Sequence, residues 1–244
     1  MVDDKRAMGG TAVAIDKSAA ASALRWWLEM GVDSLVDESP RNWLDRSAAV
    51  TEAPEPAPLA NVNPLDHRTL GDLQSWLSSS ADLPLAAETA RRILPVGPEN
   101  APVMLLSDAP ALEDFPAARP IGGEAWALTE KMLAAIGIPA DSAYSASLSC
   151  FHLPGSRMSD KERQSCAEIA RRHIALARPE RLLLFGDEPC RALLGKSLLQ
   201  ARGHVHKVEG VRTVATFHPR QLLKRPSDKA LAWQDLLLLV EDGQ

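Results

Sequence analysis

Residues 181–195 read Arg-Leu-Leu-Leu-Phe-Gly-Asp-Glu-Pro-Cys-Arg-Ala-Leu-Leu-Gly, and the fold turns on how they are read. Arg181 to Phe185 carries an apolar run that does not alternate, the texture of a strand buried on both faces. Gly186 ends that strand. Asp187 and Pro189 then open a helix in the way N-cap and early-helix residues do. The same alternation extends in both directions. Upstream, Val103 to Ser107 predicts a strand, and Ala125 to Ile136 a helix halted at Gly137-Ile138-Pro139. Tyr144 to Cys150 predicts a second strand. Ser159 caps the next helix, with Glu162 as capping-box partner, and that helix runs to about Ala177. Downstream, Val211 to Phe217 is a fourth strand and Ala230 to Val240 a closing helix. Strands separated by helices long enough for crossovers give a parallel sheet covered on both faces. The expected fold is therefore α/β, a three-layer α/β/α sandwich around a four-stranded parallel sheet, with a helical N-terminal extension.

The N-terminal third has a different texture. Ala19 to Met30 predicts a helix from Leu24, Trp27 and Leu28, with Gly31 as its stop, and Val32 to Leu44 a short helical hairpin. Pro54, Pro56, Pro58 and Pro64 then punctuate a stretch without helical or strand period. Thr69 to Ser78 is a further amphipathic helix. The expected division is a helical extension over 1–46, a Pro/Ala-rich linker over 47–65 and the α/β domain over 66–244.

Composition narrows the class. The chain has 244 residues, 45% of them hydrophobic and 24% charged, so wholesale disorder is excluded. It has no apolar run long enough for a membrane span and no signal-like h-region at its start. Three widely spaced cysteines are not a disulfide framework, and the expected setting is a reducing cytoplasm. The net charge of -5 hides a strong polarity. Residues 1–150 hold 11 Lys/Arg against 21 Asp/Glu, whereas residues 151–229 hold 16 against 8. One face of the C-terminal half is thus expected to meet an anion, the other reading being merely solvated basic helix faces.

In parallel sheets ligands sit beyond the carboxyl ends of the strands, which selects the loops 107–123, 149–158, 186–189 and 217–226. Asp108 leaves the first strand and is well placed for catalysis; the other reading makes it and Asp114 ordinary loop carboxylates. Ser147 offers a hydroxyl, and Arg157 a cation for a phosphate. No Gly-x-x-x-x-Gly-Lys or Gly-x-Gly-x-x-Gly phosphate loop occurs. His218 stands where the fourth strand ends, followed by Pro219-Arg220-Gln221-Leu222-Leu223-Lys224-Arg225. Leu222 and Leu223 suit insertion between stacked bases, with Arg220, Lys224 and Arg225 on phosphates. The competing reading packs both leucines under the last helix and leaves His218 a satisfied buried histidine.

These pieces fall in an order that resembles the uracil-DNA glycosylase superfamily, nearest its iron–sulfur family four, over about residues 80–240. Ser107-Asp108-Ala109-Pro110-Ala111 stands where the family has Gly-Glu-Ala-Pro-Gly. Arg119-Pro120-Ile121-Gly122-Gly123 matches Arg-Pro-Phe-Val-Gly, and Tyr144-Ser145-Ala146-Ser147 matches Tyr-Ile-Thr-Asn. Pro154-Gly155-Ser156-Arg157 matches Pro-Gly-Asn-Arg, and Thr216-Phe217-His218-Pro219 matches Thr-Tyr-His-Pro. Arg202-Gly203 and the ending Lys229, Trp233, Asp235 follow as well. The resemblance implies a DNA glycosylase that flips a deaminated base out of DNA and hydrolyses its N-glycosidic bond in base excision repair. It implies His218 and Asp108 as catalytic residues, and Ile121 and Ser147 as contacts to uracil. The DNA contacts it implies are Arg157, Arg220, Leu222, Leu223, Lys224 and Arg225. The alternative is a catalytically degenerate member of the same fold serving as a DNA-binding or protein-interaction module.

The family's four-iron four-sulfur cluster needs four cysteines. Cys150 and Cys166 keep the sixteen-residue separation of two of them, but Ser80 to Leu85 carries none where the others belong. The expectation is no bound metal and no cofactor, with Cys190 a packing residue. The expected partner is DNA and not a membrane. The protein is expected to be a monomer whose N-terminal extension is open to a repair or replication protein.

Overall fold

A computed structural model gives the structure of residues 67–86, 90–152 and 158–241, together with the single position Ser22. The predicted N-terminal helix, helical hairpin and linker lie outside the described residues, as does Arg157. Among the described residues there are five strands: β1 (Met104–Ser107), β2 (Tyr144–Ser147), β3 (Arg181–Phe185), β4 (Val205–Val208) and β5 (Val211–Thr216). They form one sheet in the order β2-β1-β3-β5-β4. β2, β1, β3 and β5 run parallel, and β4 returns antiparallel to β5.

The fold class is as read, but the sheet has five strands where four were expected. The missed strand, β4, is short and largely exposed, so no apolar run announces it. It closes a hairpin with β5 across Glu209-Gly210, both at positive φ (48° and 82°), the primed-turn geometry that suits the strand twist. The core strands behave as their composition predicts. Every residue of β1 is buried, and successive side chains point to opposite faces, so both faces of the sheet are covered.

Seven helices surround the sheet among the described residues. They are α1 (Leu70–Ser79), α2 (Gly123–Ala135), α3 (Asp160–Ala177), α4 (Asp187–Leu194), α5 (Leu198–Ala201), α6 (Pro219–Lys224) and α7 (Lys229–Val240). Their ends follow local chemistry. Thr69 caps α1 with Asp72 closing the capping box, and Ser159 caps α3 with Glu162. Gly195 ends α4 in the left-handed conformation. α7 packs on β5, α3 on α4, and α2 on α6.

Asp235 of α7 ties the closing helix to the sheet. It is fully buried and accepts hydrogen bonds from Thr216 Oγ1 (2.9 Å), Gly203 N–H (3.0 Å) and the Arg202 guanidinium (3.2 Å). Arg202 also donates to the Leu231 carbonyl at 3.1 Å. The Arg202-Gly203 and Asp235 pieces of the sequence pattern are therefore one structural lock. A second, smaller apolar cluster gathers Leu73, Leu77, Leu83, Cys150, Phe151 and Ile169 beside α1 and α3.

Candidate active site

The carboxyl ends of β1, β2, β3 and β5 place Asp108, Ser147, Gly186 and His218 along one edge of the sheet. Backbone hydrogen bonds continue past the strand ends. Leu148 N–H donates to the Ser107 carbonyl (2.9 Å) and Ser149 N–H to the Asp108 carbonyl (3.2 Å). His152 Nδ1–H then donates to the Pro110 carbonyl at 2.7 Å. The first two loops are thus joined before either reaches solvent.

His218 is the N-cap of α6. Its Nδ1 accepts the Arg220 backbone N–H at 3.1 Å, one of the donors a helix start leaves without an intrahelical partner. Burial, aided by the neighbouring Arg220 cation, pushes its pKa down to about 3, so the ring is neutral at physiological pH. A neutral imidazole carries one proton. With Nδ1 committed as an acceptor, that proton sits on Nε2. Gly186, at φ +92°, passes 3.8 Å from the His218 Cβ measured from the position a side chain would take. The ring itself leans on Phe185.

Arg220 does not extend into solvent. Its Nη1 donates to Asp114 Oδ2 at 2.6 Å. Its Nη2 lies 3.4 Å from the Ala109 carbonyl, 3.6 Å from Asp108 Oδ1 and 3.2 Å from His218 Nε2. Asp114 is fully buried and also accepts from Ala111 N–H and Gly122 N–H, both at 2.6 Å. This hold requires glycine at 122, because a Cβ there would meet Asp114 Cα at 2.9 Å. Asp108 has one oxygen, Oδ1, shut off from water without a hydrogen-bond partner. Burial raises its pKa above the usual carboxylate value, and Arg220 opposes the rise.

The structure therefore brings Asp108, His218 and Arg220 together, and adds Asp114 and Gly122, which the sequence offered only as loop residues. It corrects other readings. Arg220, expected on a phosphate, is turned inward because Asp114 supplies a buried carboxylate for it. Leu222, expected to wedge between bases, is buried in the main core, since on a helix Leu222 and Leu223 point about 100° apart. Leu223, Lys224 and Arg225 are the exposed part of that turn. Ile121 has no exposed surface, so it offers no face for stacking in this arrangement. Ser147 is half-buried at the end of β2.

Beside this edge lies a cavity of about 20 Å³, room for one water, lined by Ser147, Cys150, Cys166 and His173 among others. Tyr144 Oη shares a hydrogen bond with His173 Nε2 at 2.7 Å and accepts from Gln74 at 2.9 Å. Burial pushes the thiols up, Cys150 to about 11 and Cys166 to about 12, so both are protonated near neutral pH.

A donor-ready neutral imidazole beside a carboxylate and a guanidinium, at the carboxyl edge of parallel strands, suits a hydrolase that steadies negative charge on a leaving group. The chain belongs to the uracil DNA glycosylase superfamily, whose model matches residues 94–237. Membership supports a uracil-DNA glycosylase-like function, that of a hydrolase of N-glycosidic bonds in DNA. Among its relatives is the type-4 uracil-DNA glycosylase of Archaeoglobus fulgidus, 25% identical over 142 residues, covering 54% of this chain and 71% of the relative. Another is the type-4 uracil-DNA glycosylase of Pyrobaculum aerophilum, 22% identical over 152 residues, covering 58% of this chain and 78% of the relative. Among the described residues no helix is long and apolar enough to cross a membrane.

One expectation is overturned by these relatives. They are type-4 enzymes, the class for which the resemblance implies a four-iron four-sulfur cluster, so two missing cysteines do not establish a cofactor-free protein. The structural statement that stands is narrower. Among the described residues no group of three or more His, Cys, Asp or Glu side chains is arranged to hold a metal ion. Cys150 and Cys166 supply two thiols where a four-iron four-sulfur cluster takes four.

Proposed function

We propose that the protein excises uracil from DNA by flipping the nucleotide out of the helix and hydrolysing its N-glycosidic bond. The observation that carries this reading is the Arg220 amide 3.1 Å from His218 Nδ1, which assigns the proton of the neutral ring to Nε2. As the glycosidic bond breaks, its electron pair leaves with the base and negative charge gathers on a base carbonyl oxygen. Nε2–H donates to that oxygen. Asp108 takes a proton from water while the water oxygen bonds to the sugar carbon, and the proton ends on the departing base nitrogen. The raised pKa of Asp108 makes it a better base than an ordinary carboxylate. Ser147 contacts the edge of the base. Leu223, Lys224 and Arg225 meet the DNA, and Arg157 is a further cation for its phosphates.

Residues 66–244 form the catalytic unit in this reading, and residues 1–46 are a docking arm for a repair partner. A second reading has one observation in its favour: fully buried Ile121 gives a flipped base nothing to stack on, as in a member of the fold that binds DNA without cleaving it. Release of uracil from single- and double-stranded oligonucleotides separates the two. Strand cleavage at uracil after alkali supports excision. Salt-sensitive binding with no release supports the second reading.

A further inference from the structure

The contact between Arg220 and His218 is unusual in its chemistry. Nη2 of a guanidinium only donates. Nε2 of His218 carries the ring proton, because Nδ1 already accepts the Arg220 amide. Two donor nitrogens thus lie 3.2 Å apart with nothing to give each other. The acceptors nearest Nη2 are distant for a guanidinium: the Ala109 carbonyl at 3.4 Å and Asp108 Oδ1 at 3.6 Å, the latter a buried oxygen with no hydrogen-bond partner of its own. The guanidinium is nevertheless held firmly, since Nη1 sits 2.6 Å from Asp114, and Asp114 is anchored by two backbone amides. The Arg220 side chain is 21% exposed and His218 is buried beneath it at the carboxyl edge of the sheet.

Resting on the uracil-excision reading, we propose that Arg220 is a second catalytic donor: its Nη2 and His218 Nε2–H form one two-pronged site for the carbonyl oxygen of the leaving base. An oxygen placed between the two nitrogens satisfies both donors and relieves their opposition. The electron pair of the breaking glycosidic bond travels with the base, and the charge it brings to that oxygen meets a fixed cation as well as a neutral N–H. Charge-assisted bonds are about twice as strong as neutral ones. Donors held in place before the reaction cost no reorganisation while the charge develops. Asp114 is the positioning residue of the pair: it touches no substrate and acts only through the guanidinium. Asp108, facing the same cation, is kept from binding it closely and stays free for water.

The test is single-turnover excision of uracil and of fluorouracil from the same oligonucleotide by the full chain. Fluorine acidifies the base, so the fluorinated base leaves with less need for help. Arg220→Lys keeps the ion pair with Asp114 but lacks the second prong, and it serves as the fold-preserving variant beside Arg220→Ala. Both should slow uracil release by about a hundredfold and fluorouracil release by distinctly less. Asp114→Asn should show the same selective loss, and free guanidinium should restore part of the rate of Arg220→Ala. Equal slowing of both bases by Arg220→Lys, or no slowing, overturns the assignment while leaving the excision reading intact. Failure of the wild-type protein to release either base overturns the excision reading, and this assignment with it.

Discussion

Two buried carboxylates, Asp114 and Asp235, are built alike and used differently. Each is fully buried, each accepts from an arginine, and each takes further hydrogen bonds from fixed donors. Around Asp235 the arginine faces only oxygen acceptors: Arg202 puts Nε and Nη2 on the carboxylate and Nη2 also on the Leu231 carbonyl, and the network pins α7 to β5. Around Asp114 the arginine is left half-spent, with one nitrogen on the carboxylate and the other turned toward His218. The same motif makes a lock when the arginine faces only oxygen acceptors and a reactive edge when one of its nitrogens faces another donor. The distinction lies in what the second nitrogen faces, not in the charge.

The largest expected effect breaks the lock. Asp235→Ala leaves half-buried Arg202, Thr216 and the Gly203 amide without their buried acceptor and should cost about 3–5 kcal/mol of stability, read by denaturant unfolding, while excision per folded molecule stays at the wild-type level. A loss of excision beyond the unfolded fraction would mean that Asp235 is not purely structural. Next comes the edge. His218→Ala removes one donor and should lower the single-turnover rate by about a hundred- to a thousandfold, with DNA affinity nearly unchanged; wild-type rates from this variant would remove the histidine from the mechanism.

A smaller effect asks whether the reactive edge costs stability. His218 and His173 are held neutral by burial, at about 3 and about 4, against 6.5 when unfolded. As pH falls below 6.5 the unfolded chain takes up protons that the folded one refuses, so stability declines through pH 4 and, for His218, on toward 3. The melting temperature should fall across that window, and less steeply in His218→Ala. An identical pH dependence in the variant would show that His218 is not a buried neutral ring. The smallest effect concerns the exposed turn. Lys224→Ala should flatten the slope of log K against log salt by about 0.9, one phosphate's worth, in a filter-binding titration. Arg220→Lys should leave that slope alone.

How far the sequence could be read follows the range of the interactions. Strands and helix ends were legible because an apolar run, or a Ser159 with a Glu162 three places on, carries its own local signature. His218 and Asp108 were legible because both sit at strand ends. The β4 strand was not, since Val205-His206-Lys207-Val208 packs only one face and mixes charge with apolar residues. The pairing of Asp114 with Arg220 spans 106 positions, and nothing near either residue marks the other. Local rules saw a loop acid and a basic turn. Leu222 and Leu223 could not be told apart in composition, and only the helix they sit on sends one inward and the other out.

The antiparallel β4 also has a bearing on how copies of this protein behave in a crowded solution. A sheet margin is a row of unsatisfied N–H and C=O groups, a template on which another chain can crystallise into fibrils. Here that margin is only four residues long and presents His206 and Lys207 between its valines. It is too brief to seed a matching strand, and charge at Lys207 repels a second copy laid in register. The hairpin at Glu209-Gly210 thus does for colloidal behaviour what a lysine placed on an edge strand does in natural β-proteins generally: it keeps molecules of one kind from zipping together.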